Sequence, residues 1–130
     1  MNELDLSKYT LLIAEDNESN FNYLRLSLKK TGITIIRALN GQEAFELCEL
    51  HPEINIVFMD GMMPSLSGYD ATPLIHQIRP ELPVILITAF VSPASMHEAL
   101  SNGCNDYLSK PIGPEAILST LTKWLPASSD

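Results

Sequence analysis

Short apolar runs alternate along the chain with longer stretches whose apolar residues recur at helical spacing. The runs predict five strands, at Thr10–Ala14, Thr34–Ala38, Ile56–Met59, Val84–Ile87 and Asp106–Leu108. The third and fourth runs are continuously apolar, which is typical of strands that are buried on both faces of a sheet.

The segments between these runs predict five helices. Asn17 can cap a helix that runs to about Lys30 and is stopped by Gly32, and Asn40 can cap a second helix. The later helices are predicted at Gly41–Leu50, about Asp70–Ile78, Ala94–Asn102 and Pro114–Trp124. The residues expected to face inward are Phe21, Leu24, Leu26 and Leu28 in the first helix and Ala44, Phe45, Leu47 and Cys48 in the second. The alternation predicts an α/β fold with a doubly wound parallel sheet covered on both faces.

The third helix contains a local conflict. Pro73 lies five residues after Gly68, and a proline in a helix interior removes a backbone hydrogen bond. The sequence therefore predicts a helix that starts late, near Asp70–Thr72, or that is irregular in its first turn.

Length and charge limit the class of protein. The chain has 130 residues and a formal net charge of −8. We expect one domain at 9–125, an N-terminal extension at 1–8 and a flexible tail at 126–130.

The negative charge argues against direct contact with nucleic acid or an anionic membrane, and favours a partner with a basic face or a divalent cation. Two cysteines and no visible secretory signal predict free thiols and a cytoplasmic protein.

Reactive side chains follow four of the predicted strands. Glu15 and Asp16 follow the first, Asp60 the third, Thr88 the fourth and Lys110 the fifth. Ligands bind beyond the carboxyl ends of parallel strands, near the point where strand order reverses. In the order 2-1-3-4-5 this point lies between strands 1 and 3, so the three carboxylates should converge there.

Converging carboxylates repel each other unless one takes a proton or the group binds a cation. An all-oxygen site suits Mg²⁺ (or Mn²⁺), and the backbone carbonyl of Met62 could supply a further oxygen. A cation and carboxylates opposite Lys110 and Thr88 form a layout suited to phosphoryl transfer, with Asp60 as the nucleophile.

These residues give the chain its resemblance to response-regulator receiver domains, which have the flavodoxin-like fold of the chemotaxis receiver. The resemblance covers about residues 9–125. It rests on Ile13-Ala14-Glu15-Asp16-Asn17, Met59-Asp60-Gly61-Met62-Met63-Pro64, Thr88-Ala89, Gly103-Cys104-Asn105-Asp106-Tyr107-Leu108 and Lys110-Pro111. Ser67 and Ile112 depart from the residues common in that family, but neither belongs to the predicted site.

The resemblance implies a role for each site residue in a phosphorelay. Asp60 would accept a phosphoryl group from a phosphohistidine donor. Thr88 and Lys110 would contact that group, and Thr88 with Tyr107 would form a switch that changes the surface of helix 4, strand 5 and helix 5. The Mg²⁺ ligands would be Glu15, Asp16, Asp60 and the Met62 carbonyl. The Lys110–Pro111 peptide bond would be cis.

The implied partners are a histidine kinase or phosphotransfer protein, and a downstream output domain. Glu15-Asp16-Asn17 with Asn20 is similar to receivers of hybrid sensor histidine kinases. The domain would thus be free-standing in a bacterial cytoplasm or the cytoplasmic part of a membrane sensor kinase. It would be a phosphoacceptor that promotes its own phosphorylation and dephosphorylation rather than an enzyme with a separate substrate.

Three other functions compete with this hypothesis. A flavodoxin-like cofactor binder needs a phosphate loop after strand 1, where this chain has acids that repel phosphate. An aspartyl-phosphate hydrolase usually has a second acid two residues after its nucleophile, where this chain has Met62. A degenerate receiver that acts only as a protein-interaction module remains the main alternative.

Overall fold

The structure, a computed structural model, describes residues 5–61, 63, 66–89 and 93–125, with the main chain alone at 69, 93, 95 and 99. Those residues form five strands, five α-helices and one 3-10 turn. The strands are β1 (Thr10–Ala14), β2 (Thr34–Ala38), β3 (Ile56–Asp60), β4 (Val84–Thr88) and β5 (Asp106–Ser109). The helices are α1 (Glu18–Leu28), α2 (Gly41–Leu50), α3 (Gly68–Ile78), α4 (Pro93–Ser101) and α5 (Pro114–Trp124), and the 3-10 turn, Lys29–Thr31, follows α1.

The strands form one parallel sheet in the order β2-β1-β3-β4-β5, which confirms the predicted fold class. The order reverses at β1, which pairs with β2 on one side and with β3 on the other. Ala14 at the end of β1 pairs with Met59, so the carboxyl ends of β1 and β3 are direct neighbours. This is the reversal point at which open α/β sheets bind their ligands.

Alternate residues of the central strands point into two separate cores. Ile13 and Phe58 belong to a cluster that lies between the sheet and helices α1 and α5. Leu12 and Val57 belong to a second cluster, between the opposite face and helices α2 and α3. Every residue of β1, β3 and β4 is buried, as their continuous apolar sequences require.

Three strands extend one residue beyond their predicted ends. Asp60, Thr88 and Ser109 are each the last residue of a strand rather than the first residue of a loop. Asp60 pairs with Ile87, and Thr88 pairs with Ser109. The sheet ladder therefore holds the main chain of Asp60 and Thr88 in place.

The prediction of a late or irregular start for α3 was wrong. The helix runs unbroken from Gly68 to Ile78, with Pro73 inside it. Ser67 caps its first turn by accepting the backbone N–H of Asp70 at 3.2 Å. Burial of Ala71 and Ile75 against the sheet offsets the hydrogen bond lost at the exposed Pro73.

The prediction that Leu26 faces inward was also wrong. Phe21, Leu24 and Leu28 of α1 are buried, whereas Leu26 is 57% exposed. Two residues along a helix correspond to a rotation of about 200°, so Leu26 lies nearly opposite Leu24. The caps predicted at Asn17 and Asn40 are confirmed, since both side chains accept a first-turn N–H.

Some features outside the elements also bear on the sequence predictions. Leu6, within the predicted N-terminal extension, is buried in the core and donates its N–H to the Thr31 carbonyl. Cys48 and Cys104 are buried free thiols, as predicted. The predicted tail at 126–130 lies outside the described residues. Among the described helices, none is both long and apolar enough to cross a membrane.

Candidate functional site

The carboxyl edge of the sheet brings the predicted site residues together. Glu15 follows β1, Asp60 ends β3, and Lys110 follows β5. Glu15 and Asp60 are only 1% and 4% exposed, whereas Asp16 is exposed. The site is therefore a cleft with two buried acids at its base and a third acid at its rim.

The three carboxylates lie close together, and the lysine lies near the two buried ones. One carboxylate oxygen from each of Glu15, Asp16 and Asp60 lies within 4.8 Å of the other two. Lys110 Nζ lies 3.4 Å from Asp60 Oδ2 and 3.6 Å from Glu15 Oε1. One ammonium thus faces the two buried carboxylates and offsets part of their repulsion.

The surroundings of Glu15 raise the pKa of its carboxyl. Its burial raises the pKa of the Glu15 carboxyl to about 7, and both a hydrogen bond with Asp60 and the charge of Asp60 add to the increase. The positive charge of Lys110 and the N–H of Asn17 act in the opposite direction. With a pKa of about 7, Glu15 is about half protonated at neutral pH, first because it is buried and second because Asp60 lies beside it.

This donor set fits a hard divalent cation. Three carboxylates supply oxygen ligands from one side, and Asp16 leaves the site open to water, an arrangement that suits Mg²⁺ better than a metal that prefers nitrogen or sulfur. Three carboxylates face one lysine here, so a divalent cation would also balance the charge of the site. Met62, whose carbonyl was predicted as a further ligand, lies outside the described residues.

Thr88 and Tyr107 lie on the strands beyond Asp60. Thr88 ends β4, the strand next to the one that carries Asp60, and is 5% exposed. Tyr107 pairs with Leu86 on β4, two residues before Thr88, and is half-buried against a small cluster of Leu86 and Cys104. The two predicted switch residues are therefore close along neighbouring strands, and Tyr107 lies below the edge that holds the carboxylates.

The loop after β5 forms one wall of a cavity beside the acids. The Lys110–Pro111 peptide bond is cis. Across the cavity, the Tyr23 hydroxyl of α1 donates a hydrogen bond to the carbonyl of Ile112. The cavity has a volume of about 550 Å³, and both Glu15 and Lys110 line it. The cavity therefore lies between α1 and the loop after β5, and it reaches two of the predicted site residues.

Gly68 allows α3 to begin directly against the strand that carries Asp60. A Cβ atom at Gly68 would lie 2.5 Å from the Asp60 carbonyl oxygen and 2.8 Å from Met59 Cγ. We expect Gly68→Ser to lower the free energy of unfolding by about 2 kcal/mol, since backbone has to move to admit the side chain. Urea unfolding followed by circular dichroism measures this.

The matched control for Gly68 is Gly113→Ser, at the cap of α5. A Cβ at Gly113 meets nothing within 4 Å, and serine is a favourable cap residue. This control should unfold within about 0.5 kcal/mol of the wild type. Equal stabilities of the two variants would contradict the close approach at Gly68.

Arg37 is a residue of this region that the sequence patterns did not single out. It lies on β2, and its guanidinium contacts the main chain of the loop between β1 and α1, where Glu15 and Asp16 lie. A lone arginine in a strand has no spacing that marks it. Its proximity to the acids depends on β2 pairing with β1.

The chain matches the family model of the response regulator receiver domain over residues 11–122. The chain belongs to this family. It is therefore a receiver domain of phosphorelay signalling, and receiver domains bind Mg²⁺ at an acidic pocket of this kind.

Relatives of this receiver include both short and very long proteins. It is 32% identical over 119 residues to the polar-differentiation response regulator DivK of Brucella anthropi, covering 89% of this chain and 95% of DivK. It is 33% identical over 118 residues to the hybrid signal transduction protein dokA of Dictyostelium discoideum, covering 91% of this chain but only 7% of dokA. Receivers of this type thus occur both alone and as small parts of large proteins.

Solved structures show the same fold. The receiver domain of the response regulator Ssk1 of Saccharomyces cerevisiae, co-crystallised with the histidine phosphotransfer protein Ypd1, is 32% identical to this receiver with a TM-score of 0.84. The match covers 90% of this chain and 88% of that one. The chemotaxis protein CheY4 of Vibrio cholerae, at 24% identity and a TM-score of 0.83 over 90% of this chain and 98% of CheY4, supports the fold alone.

Proposed function

We propose that Asp60 is the phosphoacceptor of this receiver domain and takes its phosphoryl group from a phosphohistidine. The observation that carries the proposal is the position of the Asp60 carboxylate. It is buried at the end of β3, 3.4 Å from Lys110 Nζ and beside two further acids. A carboxylate oxygen can act as a nucleophile toward phosphorus, and the ammonium next to it can stabilise a transferred phosphoryl group.

The transfer forms one bond to phosphorus and breaks another. An Asp60 oxygen attacks the phosphorus, a P–O bond forms, and the P–N bond to the donor imidazole breaks. The electron pair of the broken bond stays on the imidazole nitrogen, which then takes a proton from solvent. Lys110 Nζ, already near Asp60, would stabilise negative charge on the phosphoryl oxygens, and the Thr88 hydroxyl would donate a hydrogen bond to one of them.

Glu15, Asp16 and Asp60, with the Met62 carbonyl, would hold Mg²⁺ (or Mn²⁺). When bound, the cation supplies the positive charge that allows an anionic phosphoryl group to approach three carboxylates. As a ligand, Glu15 would be ionised, since a carboxyl has to lose its proton to hold a cation. The domain would act as a phosphoacceptor that promotes its own phosphorylation and dephosphorylation, without a separate substrate.

The switch would follow from the attraction of Thr88 to the new phosphoryl group. Tyr107, two residues away along the paired strands, would then move toward the space that Thr88 leaves. The surface of α4, β5 and α5 would change its preference for a downstream output domain. This is a population shift that requires the phosphoryl group to bind one arrangement better than the other. Unmoved Thr88 and Tyr107 in a complex with beryllofluoride would contradict it.

The donor would be a histidine kinase or a histidine phosphotransfer protein. Support comes from the Ssk1 receiver, which was crystallised with such a phosphotransfer protein, and from the hybrid signalling proteins among the relatives. With a net charge of −8, the receiver is better suited to a protein partner with a basic face than to nucleic acid. A cytoplasmic location, consistent with two free thiols, is part of this proposal.

The direct test uses a histidine phosphotransfer protein that carries a radiolabelled phosphoryl group. We expect the label to move to this receiver in Mg²⁺ and to remain on the donor when a chelator removes the cation. Label that stays on the donor in Mg²⁺ while the two proteins form a complex would favour the interaction-module alternative. Transfer that is equally fast in the chelator would contradict the role assigned to the three acids.

A further inference from the structure

Arg37 makes several hydrogen bonds with the main chain of the loop that carries Glu15 and Asp16. Its Nε and Nη2 donate to the carbonyl of Glu15, at 3.2 and 3.1 Å, and Nη2 also lies 3.5 Å from the carbonyl of Asp16. Its Nη1 donates to Glu18 Oε1 at 2.8 Å, in the first turn of α1. One guanidinium thus connects the loop and the helix that follows it to β2.

The guanidinium is also fixed from its other side. Arg37 Cζ lies 4.5 Å from the centroid of the Phe21 ring, which is itself 9% exposed. The Arg37 side chain is 21% exposed, so most of it is removed from water. A planar cation stacked on an aromatic ring, with donors satisfied by main-chain oxygens, has much less freedom than a surface ion pair.

These contacts determine where the loop main chain lies. The N–H of Glu15 donates to the Ala38 carbonyl of β2 at 3.0 Å, and its carbonyl accepts from Arg37. Both main-chain polar groups of Glu15 are therefore held by residues of β2, and its side chain lies near Asp60 and Lys110. Arg37 contacts the main chain of Glu15, whereas Lys110 faces its carboxylate.

We propose that Arg37 is a positioning residue for the cation site: it holds the β1–α1 loop where Glu15 and Asp16 can meet Asp60. The inference rests on the proposed Mg²⁺-dependent function. Without the guanidinium, the loop could sample positions in which the three carboxylates are apart. The cation would then have to order the loop as it binds, at a cost in affinity.

The test is calorimetric titration of the purified protein with Mg²⁺, and with Mn²⁺ as a second probe. Arg37→Met keeps a side chain that can lie on Phe21 but removes every donor. We expect its dissociation constant for Mg²⁺ to rise about tenfold, a typical effect of removing a group that orients metal ligands. Arg37→Lys keeps the charge but not the planar set of N–H donors of a guanidinium. It should weaken Mg²⁺ binding by a smaller factor than Arg37→Met does.

Glu18→Gln is the matched control, because it removes the ion pair at Nη1 and leaves the hydrogen bonds to the Glu15 carbonyl intact. Glu18 is 73% exposed, and this variant should bind Mg²⁺ like the wild type. Labelling by a small acyl-phosphate donor adds a second readout. Arg37→Met should need more Mg²⁺ for half-maximal labelling and reach the wild-type rate at saturating Mg²⁺, since Asp60 and Lys110 are unchanged.

Several outcomes would overturn the role of Arg37. Unchanged Mg²⁺ affinity in both Arg37 variants would do so, as would tighter binding, which is expected if the arginine charge only repels the cation. Equal weakening in Glu18→Gln would assign the effect to the ion pair instead. If Arg37→Met does not fold, Arg37→Lys decides the question. A wild type that binds no Mg²⁺ would contradict the proposed function itself, before any variant is compared.

Discussion

Asp60→Asn is expected to reduce labelling of this receiver by a small acyl-phosphate donor to background, in Mg²⁺ at saturating donor concentration. Asparagine has nearly the same shape as aspartate, but its amide is a poor nucleophile and cannot form an acyl phosphate without losing its nitrogen. Asp60 is 4% exposed, so a substitution of similar size is needed to keep the end of β3 packed. Phosphate incorporation measured by intact-protein mass spectrometry gives the result.

Asp70→Asn is a suitable control for that experiment. Asp70 is an exposed acid in the first turn of α3, ten positions along the chain from Asp60. It should be labelled at the wild-type rate and extent. Labelling of Asp60→Asn to the wild-type extent would place the acceptor at another residue, and peptide mapping would then identify it. Circular dichroism of both variants would verify that loss of labelling is not loss of folding.

The second large effect is a loss of stability with rising pH in the metal-free protein. Folding raises the pKa of Glu15 from 4.5 to about 7, mainly by burial and then through Asp60. The folded state therefore binds more protons than the unfolded state between these values, so stability falls as pH rises through that window. The shift corresponds to a loss of up to about 2.5 kcal/mol between pH 5 and pH 8, measured by urea unfolding in a chelator.

Two comparisons isolate the contribution of Glu15. Glu15→Gln has no proton to lose, so the difference in unfolding free energy between it and the wild type should change across the window by the predicted amount. Saturating Mg²⁺ should restore the wild type at high pH, because a ligand that binds only the folded state stabilises it. A wild-type stability that rises with pH relative to Glu15→Gln would contradict the raised pKa.

The sequence was sufficient for the fold and for placing Glu15, Asp16, Asp60 and Lys110 at one edge of the sheet. Continuously apolar strands have to be buried on both faces, and amphipathic segments between them have to cover those faces, so the alternation leads to a doubly wound parallel sheet. The carboxyl ends of parallel strands meet at one edge. Acids after β1 and at the end of β3, with a lysine after β5, could therefore be assigned to one cleft before any coordinates were known.

Two local predictions failed, one because of tertiary packing and one because of the helical period. Pro73 disfavours a helix in isolation, but the cap at Ser67 and the buried Ala71 and Ile75 support the helix across it. Leu26 failed for a local reason, because it lies two residues and about 200° from the buried Leu24, and the helical period of the sequence already separates the two. At Pro73 the energy of tertiary packing outweighs the cost of a proline inside a helix, which is about 3 kcal/mol.

The sequence by itself determined which side chains lie at the carboxyl edge of the sheet, because strand period and chain direction are local properties. Only the tertiary structure decided how those side chains are held and charged. The raised pKa of Glu15 depends on burial and on the proximity of Asp60. The hydrogen bonds from Arg37 to the Glu15 carbonyl depend on β2 pairing with β1. Residues far apart in the chain become buried and come close together only when the strands have paired into the sheet and the helices have packed on it.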